Sequence, residues 1–273
     1  MPIAEAPRGA ASRRTRTLEP DTIEVVLSGA DLSEWFNPFL VRFAQETIGA
    51  GGQASVAEEE GRAVGLVLSH PAERFASVFT RSPEIAGALV PDAGSASWFA
   101  EVDLPRPREA FDILACDLDR IPPHRFRHPV RQLDDTSRVG AFVEHAYGGA
   151  PLDWLRAARA AGERCLGVEL DGTLCGVSWV LVAGGAARLH SLTVRADVRR
   201  LGIGTDLVFA RLEYARALRA GTAFSEISEH NSASRTIAER AGMRRVGRWY
   251  LYGRPATGWS PVVPGPVSWP TSG

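Results

Sequence analysis

The chain has 273 residues, 45% apolar and 23% charged, with a formal net charge of −1. That balance supports a soluble core of ordinary size and excludes a nucleic-acid binder held by a broad basic face. Three cysteines (Cys116, Cys165, Cys175) without a C-x-x-C pair exclude a disulfide framework or zinc site; no metal is expected, and reduced thiols point to the cytoplasm.

Residues 1–20 contain Arg but no apolar segment of signal-peptide type, so they are expected to be a disordered tail. Residues 21–120 read as an N-terminal α/β domain. Its expected elements are a strand at Thr22–Leu27, a helix at Leu32–Thr47, a hairpin in "SVAEEEGRAVGLVLS" and a short helix after Ser82. A strand at Trp98–Val102 and a helix at Arg108–Leu118 complete it. Pro122-Pro123 then marks a linker.

Residues 121–254 parse more sharply. Phe126–Leu133 is a strand that Pro129 assigns to a sheet edge. Asp134-Asp135-Thr136 caps a helix, and Pro151–Ala161 is a second one. Arg164–Leu170 and Thr173–Val182 form a hairpin, and Ala187–Val194 alternates as a strand. A helix at Gly202–Leu218 ends before Gly221, a strand follows at Thr222–Ser228, and a helix starts at Asn231 or Ser232. Arg245–Tyr252 is the last strand. Residues 255–273 form a Pro/Gly-rich tail, and no apolar run has the length of a membrane span. The fold class is α/β with a mixed sheet. Each half carries a hairpin with an acidic turn at Gly61 or Gly172 and a glycine four residues on, Gly65 or Gly176. That echo suggests a diverged internal duplication.

The chemistry concentrates in "TVRADVRRLGIGTDL". A P-loop is excluded, because the chain has no lysine. A dinucleotide fingerprint is disfavoured, because Leu207 stands at its third glycine. Arg199-x-x-Gly202-x-Gly204 opening a helix is instead an anion site, where helix N–H groups, bare backbone and guanidinium groups converge. This loop resembles the coenzyme A pyrophosphate loop of the GNAT acetyltransferase superfamily. "SEHNSASRTIAERAGM" resembles the family's later Asn-helix-Gly segment, so the resemblance spans about residues 126–252. The first half matches only through its hairpin.

The resemblance implies direct acyl transfer from acetyl-CoA to an amine. It implies a cleft where Leu189–Val194 and Thr222–Ser228 diverge. The pantetheine arm would follow Leu192, Thr193 and Val194, and the diphosphate would sit on Arg199, Arg200, Leu201, Gly202, Ile203, Gly204 and Thr205, with Asn231 beside it. His190 shares Val194's side of its strand and is the first candidate base, with a structural imidazole as the plain alternative. Glu226 and Glu229 are weaker candidates. The family's tyrosine acid is replaced by Ala238, and Tyr250 and Tyr252 are better explained by packing. Tyr147 and Trp154 border the implied acceptor site. The N-terminal domain lacks its own loop, so it is expected to shape the acceptor pocket or a dimer interface. The chain then acts as a monomer or homodimer on a small-molecule or peptide amine, without nucleic acid or membrane. The competing reading is an acyl-CoA sensor or structural protein without turnover.

Overall fold

In the computed structural model, which describes residues 14–70, 75–89, 97–104, 107–147, 158–160 and 162–253, twelve strands form one mixed sheet. The upstream elements are β1 (Arg14–Thr17), α1 (Ile23–Leu27), a 3-10 turn at Asn37–Phe39, α2 (Leu40–Gly49), β2 (Gln53–Glu59), β3 (Arg62–His70), β4 (Phe75–Phe79), α3 (Pro83–Leu89), β5 (Ser97–Ala100) and β6 (Glu109–Asp117). Downstream are β7 (Val130–Gln132), α4 (Thr136–Tyr147), β8 (Arg164–Leu170), β9 (Thr173–Ala183), β10 (Ala186–Val194), α5 (Ile203–Ala217), β11 (Thr222–Ser228), α6 (Ser232–Arg240) and β12 (Arg244–Tyr252). Among the described residues no helix is long and apolar enough to cross a membrane.

The strand order is β1-β2-β3-β4-β5-β12-β6-β11-β10-β9-β8-β7. Outward from the centre, both halves read alike. Each has one parallel pair, β4–β5 and β10–β11, and otherwise antiparallel neighbours. Each half's last strand is exchanged: β6 lies between β11 and β12, and β12 lies between β5 and β6. Residue 120, expected as a domain boundary, follows a strand whose two ladder partners belong to the downstream half.

The hairpins match in detail. Glu60-Gly61 and Asp171-Gly172 all have positive φ, between 48° and 76°, the geometry of a tight type I′ turn. Both hairpins shift register just before the turn, at Ala57/Glu58 and Val168/Glu169. Gly65 and Gly176 lie under helices. A Cβ on Gly65 would come within 2.6 Å of Leu89 Cδ1, and one on Gly176 within 2.9 Å of Ile203 Cγ2.

Several expected elements differ. Arg14–Thr17 leaves the expected tail to pair with β2, where Arg16 Nε and Nη2 both donate to Glu58. Thr22–Leu27 is helical rather than extended. Its β-branched residues favour a strand, but Ile23 and Leu27 are buried together while Val25 is 82% exposed, a spacing of four. The expected helix at Leu32–Thr47 begins as a 3-10 turn, and its α part runs from Leu40. Arg108–Leu118 is the strand β6. Ala110–Leu114 are all buried, because a central strand is covered on both faces and loses its alternation. Most of Pro151–Ala161 lies outside the described residues.

Helices α1, α2 and α4 cover one face of the sheet. Beneath α2, Phe36, Phe39, Phe43, Phe99, Phe224 and Trp249 form an aromatic core shared by both halves. On the other face α5 packs over Leu189, Val180 and Ala223, and α3 packs over Val67 and Val78.

Candidate active site

Parallel pairing of β10 with β11 covers Ala186↔Thr222, Ala187↔Ala223 and Arg188↔Phe224, then stops. Beyond that point the strands diverge and leave a cleft lined by Leu189–Leu192 on one side and Ser225–Ser228 on the other. The divergence has a local cause. A bulge lies between His190 and Thr193, and Ser191 takes φ +50° there. Neither Ser191 nor Leu192 has a partner in the β9 ladder. Arg211 on α5 fills the gap, donating through Nη1 to the carbonyls of His190 (3.1 Å) and Trp179 (3.4 Å). Burial pushes that guanidinium down to about 9.

At the cleft's end, α5 begins at Ile203 after Gly202, which has φ +100° and provides no side-chain cap. The first-turn N–H groups of α5 therefore lack that partner and carry the positive end of its dipole. A Cβ on Gly204 would meet Ile237, Val194 and Leu192 at 3.4–3.8 Å, and Leu192 and Ile237 also line the cleft. Arg199 and Arg200 are exposed, and Arg200 adopts φ +66°. Asn231 lines the cleft while its Oδ1 accepts the Ser234 N–H as the cap of α6.

His190 and Arg188 point to the α2 face, two residues apart on β10, and both are buried. The His190 ring has a hydrogen bond at one nitrogen and a charge contact at the other. Nδ1 lies 3.0 Å from Ser191 Oγ, and Nε2 lies 3.1 Å from Glu163 Oε2. Burial alone would raise the Glu163 carboxyl, but the charge and hydrogen bond of His190 and the charge of Arg188 outweigh it and hold it below its ordinary value. An ionised Glu163 assigns the ring proton to Nε2 and leaves Nδ1 as the basic atom. Glu226 is engaged differently: its Oε1 accepts from Arg188 Nε at 2.9 Å, within a buried pair, while its Oε2 has no hydrogen-bond partner among the described residues. Glu229 lies outside the cleft wall and accepts from the Ala110 N–H.

The structure thus brings His190, Glu226, Leu192 and Asn231 to one cleft, with Gly204 at its edge. The side chain of Tyr147 and all of Trp154 lie outside the described residues. Tyr252 is committed elsewhere, its hydroxyl donating to the Val102 carbonyl at 3.0 Å and accepting from the Leu104 N–H. Cys165 is an unactivated thiol, pushed well up by burial, and Cys116 is pushed up to about 11 for the same reason.

Sequence reasoning missed Glu163, Glu46 and a clamp beside the loop. Asp206, in the first turn of α5, is 1% exposed and meets His124 Nε2 at 2.7 Å and His128 Nδ1 at 2.8 Å. This ties residues 124–128 to the loop, so Arg127 Cδ would lie 3.1 Å from a Cβ on Gly202. "HRFRH" followed by an acidic first turn is a usable signal for the clamp. For Glu163 and Glu46 no local pattern exists, because their partners are distant in sequence.

Residues 128–243 match the model of the Acetyltransferase (GNAT) family. No curated protein matches the chain. Solved structures share its fold along nearly their full length. A GCN5-related N-acetyltransferase from Sphaerobacter thermophilus is 14% identical with a TM-score of 0.57, covering 89% of this chain and 98% of its own. A Drosophila protein is 15% identical with a TM-score of 0.61, covering 88% and 98%. A tandem GNAT protein from the clavulanic acid biosynthesis pathway is 17% identical with a TM-score of 0.57, covering 88% and 97%.

Proposed function

We propose, from the match of residues 128–243 to the GNAT acetyltransferase model, that the protein moves an acetyl group from acetyl-CoA directly to an amine. The observation that carries this reading is the cleft between β10 and β11, with His190 in its wall, backed by Glu163 from behind, and the uncapped turn of α5 at its end.

The donor set fits a phosphorylated, thioester-bearing co-substrate. The first-turn N–H groups of α5, with Arg199 and Arg200, would hold the diphosphate. The backbone of Leu192, Thr193 and Val194 would hold the arm, with Asn231 beside it. Acetyl-CoA, when bound, supplies the thioester carbonyl that the amine attacks. The N–H groups of Ser191 and Leu192, unused by the ladder, are the donors for charge developing on that carbonyl oxygen.

His190 moves the proton. Ser191 Oγ takes a proton from the acceptor ammonium while its own passes to His190 Nδ1, and Glu163 stabilises the resulting imidazolium. The same route can return a proton to the departing sulfur, so Ala238 in place of a tyrosine leaves the cycle complete. The chain is duplicated, in this reading, and only its downstream copy retains the loop.

Thiol release from acetyl-CoA against an amine panel tests the proposal. Wild type should release CoA with at least one amine. His190→Ala should lower kcat by roughly 10²–10⁴-fold with little change in acetyl-CoA affinity. Tight coenzyme binding with no thiol release for any amine would support the sensor reading instead.

A further inference from the structure

The cleft opens on the α5 face of the sheet, and one unpaired charge stands in its wall there. Arg211, midway along α5, lines the cleft and is 3% exposed. Among the described residues no carboxylate pairs with it, and burial is the only influence that moves its guanidinium from the ordinary range. The other charges around the cleft turn away. Glu226 pairs with Arg188 on the α2 face, where His190, Glu163 and Glu46 of α2 also gather. From α6, Ser234, Ile237 and Ala238 bring no charge to the cleft, and Ser225, Ile227 and Ser228 of β11 bring none either.

The guanidinium has one donor to spare. Its Nη1 is committed to the carbonyls of His190 and Trp179, and its Nε is enclosed without a partner. Nη2 is neither enclosed nor hydrogen-bonded among the described residues. A cation withdrawn from water is costly unless an anion joins it. A carboxylate would take two parallel donors from one guanidinium, whereas a single charged atom takes one. The position specifies that atom. Arg211 holds the His190 carbonyl, next to the Ser191 and Leu192 N–H groups proposed above to receive the thioester oxygen. The thioester sulfur is bonded to the same carbon as that oxygen. Ala238, on the same cleft, has no proton to give it.

From this placement we infer that Arg211 is a catalytic residue that carries the negative charge of the departing coenzyme A sulfur. The inference deepens the transfer reading and rests on it. As the amine nitrogen bonds to the carbonyl carbon, the carbon–sulfur bond breaks and its electron pair goes to sulfur. Both protons that the ammonium gives up pass through Ser191 and His190 to solvent. The sulfur then leaves as a thiolate beside Arg211 and takes up a proton only on release, so its departure does not wait for an acid.

The test is an ultraviolet titration of the thiolate of bound CoA, with the desulfo-CoA complex as blank and free CoA as reference. In wild type the bound thiol should titrate at least about one pH unit below free CoA, as a nearby opposite charge requires. Arg211→Gln, which keeps a donor for the His190 carbonyl, should return it to the free value while binding CoA like wild type at about pH 6, where the thiol is neutral. A wild-type thiol that titrates like free CoA, or a folded Arg211→Gln protein that keeps the lowered value, overturns the inference. So does tighter binding of succinyl-CoA than acetyl-CoA that is lost in Arg211→Gln, because Arg211 would then serve an acyl carboxylate. Should Arg211→Gln fail to fold, wild-type affinities for CoA and desulfo-CoA across the same pH range decide: only CoA should gain affinity as pH rises, and parallel curves overturn the inference. Failure of the transfer reading looks different: CoA does not bind at all, and both readings fall together.

Discussion

Gly202 joins backbone geometry to charge. Its φ of +100° is strained for any residue with a Cβ, and it precedes the uncapped turn of α5. Gly202→Asp adds strain and a negative charge at the proposed phosphate seat. Its Kd for acetyl-CoA should rise at least tenfold by calorimetry, whereas Gly221→Ala, with open space around it, should leave the value unchanged. Asp206 makes a second residue-scale case. Burial raises its carboxyl, but His124, His128 and the N–H groups of Arg127 and His128 together bring it below its ordinary value. A carboxyl depressed in the folded state stabilises above its unfolded pKa, and that contribution is lost as pH falls through the lower folded value. Asp206→Asn should therefore lower Tm at pH 7, and the gap to wild type should narrow below about pH 4. A gap that stays constant down to pH 3 would show that the clamp does not depend on the charge.

At the scale of elements, the paired hairpins show why a glycine recurs. Gly65 and Gly176 admit helices α3 and α5 to the backbone of β3 and β9. A methyl at 176 would press on Ile203 Cγ2, Leu207 Cδ1 and the Thr193 carbonyl at once, and the carbonyl cannot yield. Gly176→Ala should destabilise the protein by about 1–3 kcal/mol in urea unfolding. It should also weaken acetyl-CoA binding, because α5 carries the loop. A variant with wild-type stability would mean that α5 shifts freely. The same elements explain where periodicity succeeds. α5, β11 and α6 were legible because each is bounded by its own turn or cap, and the proposed anion-binding residues of α5 and the capping Asn231 of α6 lie at the start of their own helices. β6 was illegible because burial on both faces erases alternation, and α1 because five residues give too little periodicity to outweigh β-branching.

At the scale of the molecule, exchange of β6 and β12 makes each half depend on the other. Residues 121–254 alone would lack the strand between β11 and β12 and would leave β11 as an open edge. The shared aromatic core under α2 would be divided as well. Neither 14–120 nor 121–254 should fold alone, while co-expression should restore a stoichiometric complex on size-exclusion chromatography. A monomeric, cooperatively unfolding 121–254 fragment would contradict that dependence. The sequence by itself determined what short-range chemistry encodes: the mixed α/β class, the loop ahead of α5, the duplicated hairpins and His190 as a candidate base. Only the tertiary structure decided the strand exchange, the pairing of His190 with Glu163 and the arrival of Glu46 from the upstream half. Those depend on contacts between residues far apart in the chain, whose identity no local spacing specifies.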